Sequence, residues 1–519
     1  MKPAHFFLNG VTALAAAALL MPAMAFGEDA EGLRIGWAST DITPDEPVVL
    51  TGQFHARVME GVRDPITATA LALEPGDEDG AILISCDLIS INDALRDSVR
   101  ELVDEALPEG ETPTVVLNAT HTHAAPELRT ATDFVEALDL DVPEEWSRWG
   151  IELDAMAPPD YVAFAAGRIA DAALQAWEER EPGGISYGLS HAVVGHNRIM
   201  AYDDGSSQMY GNTSREDFSH VEGWEDHAVH LLYTWNEDED LTGVAINLAS
   251  PSQHDESIYE LSADFWHETR EELRGELGED LHVLPQSSAA GDQSERVMIH
   301  RRAESRMEDI TGQNRRDRIA QRITDAVTSI LPYMEDHIEW DPVFAQRLET
   351  VDLSRRFLSE DDYEEAKAVF SDRKEDYEAL REEIEAQPEI REEHRWYLDI
   401  TRAYRRMTRE ARIIERFETQ QEEPTTPVEV HVLRLGDIAM ATNPFELYLD
   451  FGVRMQERSP AIQTFLVQLA GSGTYVAPER SVEGGAYGAV PGSNVVGAEG
   501  GRELVEETLA LIESLWEEE

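Results

Sequence analysis

The chain has 519 residues, with 42 Lys and Arg set against 104 Asp and Glu, a formal net charge of −62. A surface this acidic repels nucleic acid and anionic membranes, so neither is expected as a partner. The length suffices for a large core, and because Cys86 is the only cysteine an intramolecular disulfide is excluded.

At the N-terminus Lys2 precedes an apolar run, Val11 to Leu20, that is too short to span a bilayer, and Ala23 and Ala25 form an A-x-A pattern. These residues predict a signal peptide over 1–25, cleaved after Ala25. The expected location is therefore periplasmic or secreted, with no stable membrane insertion. From Leu33 to about Met334 two kinds of segment alternate. Short apolar runs (Ala81 to Cys86, Thr114 to Asn118, Gly243 to Leu248, His282 to Leu284) predict buried strands. Asn92 to Ala106, Tyr161 to Glu179, Phe265 to Leu277 and Asp317 to Ile330 repeat apolar residues at three- and four-residue intervals, as helices do. The alternation predicts an α/β fold, a single large domain with a mixed β-sheet flanked by helices. Cys86 ends the first apolar run and is expected as a small core residue, not as a catalytic thiol.

The stretch from Ser354 to Gln421 is rich in Glu, Arg, Lys and Ala, with Tyr, Phe, Leu and Ile at helical spacing. It predicts a helical hairpin, an insertion over 350–425 between main-domain segments 33–345 and 427–519, with its charges on a solvated face. Strands resume at Val428 to Leu435 and Ile438 to Ala441, and Arg502 to Trp516 is a last amphipathic helix. The glycine-rich stretch Gly471 to Gly501 is expected as loop whose backbone packs close to something such as a ligand.

Two local features bear on chemistry. His121 and His123 follow the strand Val115 to Leu117; in extended chain they project to the same side and make a half-site for zinc at a strand end. After another strand, Ser287-Ser288-Ala289-Ala290-Gly291-Asp292-Gln293-Ser294 has the small residues that let a backbone turn sharply and expose a nucleophilic hydroxyl; the same residues also make an ordinary Gly-Asp turn with a capping serine. It is not G-x-S-x-G, so an α/β-hydrolase elbow is not indicated.

Thr120-His121-Thr122-His123 with Ala124-Ala125-Pro126, then Asn197-Arg198 with Ala201-Tyr202, then Ala290-Gly291-Asp292-Gln293-Ser294, resembles the ordered motifs of the neutral/alkaline non-lysosomal ceramidases. Gly36-Trp37-Ala38-Ser39-Thr40-Asp41-Ile42-Thr43-Pro44 is similar to that family's opening and Cys86-Asp87-Leu88 to its first strand end. The resemblance runs from about Leu33 to Tyr487, the helical insertion apart. It implies a Zn2+ site of two histidines, a glutamate and a tyrosine. His121 matches the first histidine, Glu446 in Asn443-Pro444-Phe445-Glu446 the glutamate, and Tyr475 the tyrosine, with Tyr487 as alternative. The second histidine is where the sequence departs: Pro251 stands at the aligned position, leaving His254, His267 or no histidine. By the same resemblance Ser294 is catalytic, as nucleophile or as substrate binder, and His123 and Arg198 hold or polarise the substrate oxygen.

The family's C-terminal immunoglobulin-like domain is expected to have no counterpart here. The implied activity is hydrolysis of an N-acyl amide, ceramide to sphingosine and fatty acid or a related lipid or small-molecule amide. The alternatives are an esterase or deacylase on a soluble substrate, or an inactive binding protein that kept the fold.

Overall fold

The continuous apolar runs are strands covered on both faces, and the computed structural model shows what covers them. It describes residues 32–76, 79–108, 110–130 and 142–517. The expected signal peptide, 1–25, lies outside the described residues. The larger sheet has eight strands: β1 (Leu33–Asp41), β2 (Thr67–Pro75), β3 (Ala81–Cys86), β4 (Thr114–Ala119), β5 (Glu181–His191), β6 (Ala228–Asn236), β7 (Leu241–Leu248) and β8 (His282–Ser287). They are ordered β8-β7-β6-β5-β1-β2-β3-β4. The β3/β4 and β7/β8 pairs are parallel, the other neighbours antiparallel. A second sheet holds β9 (Phe344–Ser354), β10 (Thr425–Leu435), β11 (Ile438–Thr442) and β12 (Gln463–Val467), with β11/β12 parallel.

Period-two alternation sorts the side chains of each strand between two apolar layers. Leu33, Ile35, Trp37, Leu71, Leu73 and Leu83 pack with Leu433, Leu435, Met440 and Phe465 of the second sheet. From the same strands Ala38, Ala68, Ala70, Ala72, Ile82, Ile84 and Cys86 pack instead with α1 (Asp93–Ala106) and α2 (Pro158–Glu178). Helices α3 (Phe265–Leu277) and α4 (Arg315–Met334) cover β6 to β8. The far face of the second sheet, with Val428, Val430, Val432 and Ala441, meets the helices Leu449–Arg458 and Ala498–Glu517. The result is a helix/sheet/sheet/helix sandwich, a mixed α/β fold with helices flanking the sheets. Strands buried on both faces lose their polar alternation, which explains the apolar runs. Cys86 is wholly buried, and burial pushes its thiol up.

Beside the mixed sheet expected from the sequence, here of eight strands, stands a smaller sheet of four. Strand β9 escaped notice because only Phe344, Val351 and Leu353 of its eleven residues are buried, so it lacks the hydrophobic signal of its neighbours. It crosses both 345 and 350, where the main domain was expected to end and the insertion to begin.

The helical hairpin consists of α5 (Glu360–Ala386) and α6 (Leu398–Thr419). Ser359 and Asp362 form a capping box at the start of α5. The helices run antiparallel, Tyr363 stacking on Phe417 and Tyr377 meeting Tyr404. The hairpin does not stand free. The Tyr404 hydroxyl donates to the Ser147 carbonyl at 2.8 Å, the Tyr377 hydroxyl to that of Gly150 at 2.6 Å, and the Ala56 N–H donates to Thr401 Oγ1 at 3.1 Å. These bonds lay α6 over the loops that border the cavity described next.

Candidate active site

The carboxyl ends of the three parallel strand pairs in the two larger sheets open on one place, where α/β folds collect ligands. Strand β4 leads to His121 and His123, β7 to Gln253, β8 to Asp292 and Ser294, β11 to Glu446, and β12 to the loop carrying Tyr475. They bound a cavity of about 470 Å³ lined by, among others, His121, His123, Arg198, Tyr210, Gln253, Glu446 and Tyr475.

The extended geometry expected for His121-Thr122-His123 is not what is found. His121 has φ +68°, a left-handed conformation that is strained for a side chain larger than glycine. Its N–H donates to the Leu88 carbonyl at 2.9 Å, which turns the chain off β4. The two imidazoles still meet, Nε2 to Nε2 at 3.3 Å, because the turn folds one ring against the other. His121 Nδ1 lies 2.6 Å from the Ile89 carbonyl. A carbonyl only accepts, so Nδ1 carries a proton and Nε2 is the nitrogen turned to the cavity. Arg57, buried among backbone carbonyls, donates to those of Thr51 and His123 and fixes this loop.

Glu446 Oε2 lies 3.4 Å from His121 Nε2, and the Glu446 carboxylate also accepts from the Tyr475 hydroxyl. Burial alone would raise the Glu446 carboxyl, but His121 and Arg198 bring it below its ordinary value. Burial, with Glu446 adding to it, pushes the Tyr475 hydroxyl well up. Arg198 is 1 % exposed. Its Nη1 donates to Tyr210 at 3.0 Å and to Gln253 Oε1 at 2.9 Å; its Nη2 donates to the Gly291 carbonyl at 2.8 Å and to the Tyr475 hydroxyl at 3.3 Å. With its carbonyl so engaged, Gln253 turns its amide NH2 to His123, 3.0 Å away.

Of the residues singled out in the sequence, His121, His123, Arg198, Glu446 and Tyr475 come together. Tyr487 borders the same cavity but stands edge-on to Tyr475 and Phe54, so Tyr475 is the tyrosine against Glu446. His254 and His267 do not line the cavity. His254 sits among the charges of Asp255, Arg315, Arg316 and Arg296, and His267 lies in the first turn of α3. The corner foreseen for a second histidine is filled by Gln253, two residues beyond Pro251. Ser294 is wholly buried behind Tyr210: its Oγ is 3.3 Å from the Tyr210 hydroxyl and donates to Glu295 at 3.1 Å. Gln253 and Tyr210 also line this cavity, and sequence reasoning missed them since neither lies in a motif.

For a tetrahedral ion with bonds of about 2.0–2.1 Å, neighbouring donors stand about 3.3–3.4 Å apart. The 3.4 Å between His121 and Glu446 matches that edge, and Tyr475 is bonded to the same carboxylate. Imidazole, carboxylate and phenol are an N/O set that suits zinc. Among the described residues no three His, Cys, Asp or Glu side chains converge on a metal position. His121, Glu446 and Tyr475 are the donors that would suit such an ion.

The glycine-rich stretch is partly ordered, with a short strand at Tyr475–Val476 and a short helix at Glu479–Gly484. Its backbone packs close against the protein: a Cβ on Gly473 would lie 2.2 Å from the Pro444 carbonyl oxygen. Gly291 presses likewise on the other side, where a Cβ would lie 2.4 Å from the Glu446 carbonyl oxygen. Both contacts are with backbone, which cannot swing aside. Gly291→Ala is expected to lower stability by about 1–3 kcal/mol and to reduce activity by displacing Glu446. Chemical unfolding together with a turnover assay checks this, and a variant as stable and active as the parent would refute the packing argument.

These features define an α/β protein with a buried His-Glu-Tyr-Arg centre at strand carboxyl ends. No family model and no curated protein matches the sequence. Among solved structures, a neutral ceramidase from Pseudomonas aeruginosa aligns with TM-score 0.64 at 14% identity, covering 94% of this chain and 75% of that one. A ceramidase complexed with C2 aligns with TM-score 0.63 at 13% identity, covering 94% and 76%. The chain has the neutral ceramidase fold. In the described residues no helix is long and apolar enough to cross a membrane.

Proposed function

We propose that this chain is a hydrolase of N-acyl amides, exported by way of the signal peptide over 1–25. The observation that carries this reading is the meeting of His121, Glu446, Tyr475 and Arg198 in one cavity on the neutral ceramidase fold. The overall step breaks the amide C–N bond, joins a water oxygen to the acyl carbon and passes a proton to the departing amine. Zinc held by His121, Glu446 and Tyr475 would polarise the carbonyl and lower the pKa of water toward about 7.

The residues themselves supply the rest. Glu446 is the acceptor nearest the reacting position and can take a proton from the attacking water. Arg198 commits its Nη protons to Tyr210, Gln253, Gly291 and Tyr475, so it acts through its charge beside the oxygen that turns negative and by holding the two tyrosines in place. His123 faces the cavity beside His121; burial and its cationic neighbours hold the ring well below the usual histidine range, so it serves as a neutral group that holds the substrate and leaves Glu446 to return the proton to the amine. Ser294 orients Tyr210 in this reading; attack by its own hydroxyl would require Tyr210 to move aside.

The test is metal content of the purified protein, paired with hydrolysis of a fluorogenic N-acyl sphingosine and of shorter N-acyl amides with and without chelator. About one zinc per chain and chelator-sensitive cleavage are expected. Folded protein that cleaves no amide overturns the reading. Since Gln253 stands where a second histidine was foreseen, retained amphiphile affinity without metal would favour the binding-protein alternative, and cleavage of esters alone the esterase.

A further inference from the structure

The chain carries more than twice as many acidic as basic residues, yet its cavity wall inverts that balance. Arg129, Arg148, Arg198 and Arg405 line it, against only Glu256 and Glu446. Glu256 is already paired with Arg296. Arg129 and Arg148 share one carboxylate, Glu127, which is 2.7 Å from Arg129 Nε and 2.9 Å from Arg148 Nε and is held well below its ordinary range.

Arg405 has no such partner. It descends from α6 into the cavity, its Nε is shut from solvent without a hydrogen-bond acceptor, and among the described residues no carboxylate lies within ion-pair distance of it. Burial, with Arg412 and Arg129 adding like charge, pushes its ionisation down to about 9. A half-buried guanidinium with no counter-ion favours an anionic partner, and guanidinium groups bind carboxylates through two parallel hydrogen bonds. Phe54, Tyr475 and Tyr487 line the rest of the wall with aromatic surface that suits an apolar chain.

We infer that the substrate carries a carboxylate, held by Arg405 with Arg129 and Arg148 beside it: an N-acyl amino acid or similar anionic amide, in place of a neutral lipid amide. The inference rests on the amide-hydrolase reading of the same cavity. In it the helical hairpin is a specificity element, because it delivers the arginine of the cavity wall that has no carboxylate within ion-pair distance among the described residues.

The experiment compares N-dodecanoylglycine with N-dodecanoylglycinamide, which share an acyl chain and differ in charge. Release of dodecanoate by the parent, Arg405→Gln and Arg405→Lys is measured, and calorimetry records binding of both compounds to His121→Ala. The parent is expected to prefer the acid at least about tenfold in kcat/KM. Arg405→Gln should bring the preference close to unity by raising KM for the acid, whereas Arg405→Lys should keep part of it. A preference unchanged in a folded Arg405→Gln, or none in the parent, overturns the carboxylate subsite while leaving amide hydrolysis standing. No release from either compound, with the acid still bound preferentially to His121→Ala, overturns hydrolysis and leaves the subsite standing.

Discussion

Replacing His121 is expected to reduce kcat/KM for amide cleavage by roughly 10³-fold or more, at or beyond the loss when a single transition-state donor is removed from a hydrolase. Of the two cavity imidazoles His121 is the one whose ring is fixed by the backbone, through the 2.6 Å contact of Nδ1 with the Ile89 carbonyl, and its Nε2 meets Glu446 at 3.4 Å. Loss of the contact with Ile89 leaves a buried carbonyl without its partner, at a cost of about 1–3 kcal/mol, so stability must be followed alongside activity. Because the backbone here is at φ +68°, His121→Asn is the better control: asparagine tolerates the left-handed region but is too short to reach Glu446. Both variants should lose activity while a thermal melt shows them folded. Activity of His121→Asn within tenfold of the parent would remove this residue from the reaction.

Arg316→Met is expected to have the largest effect on stability, about 3–5 kcal/mol. Arg316 is wholly buried in α4. It donates to Asp255 at 2.6 Å, Asp64 at 2.8 Å, Glu268 at 2.6 Å and the Asp264 carbonyl at 2.9 Å. Methionine fills much of the volume but leaves those carboxylates without their cation. Asp264, pushed up to about 8 by burial and then by Asp255 and Glu295, shows how that interior treats an uncompensated carboxylate. In the variant Asp64 and Asp255 stay beside Asp264 without the Arg316 charge. A carboxyl raised on folding is penalised above its folded pKa and relieved below it, so the deficit should shrink as pH falls toward 5. Urea unfolding of parent and variant at two pH values measures this, and a deficit below 1 kcal/mol at neutral pH would contradict it. The loop that starts from this network also carries Gln253, so turnover should fall with stability.

The sequence by itself determined the α/β class and most of the elements. Ala81 to Cys86 announced a strand because both its faces are covered, and Phe265 to Leu277 a helix because one of its faces is. It also determined which of the motif residues meet, since His121, Arg198, Glu446 and Tyr475 each stand in or near a recognisable segment. Only the tertiary structure decided the rest. Strand β9 has too few buried residues to be read locally; it forms because β10, more than seventy residues later, supplies its hydrogen bonds. Gln253 occupies the corner foreseen for histidine because Arg198 and His123, distant in sequence, bind its two ends. Arg405 looked like one more charge on a solvated helix until Tyr404 and Thr401 bound α6 to loops of the main domain and turned that side chain inward. Hydrophobic periodicity reports how deeply a residue is buried, a property of its own segment. Which side chains share a cavity depends on how segments far apart in the chain close on one another.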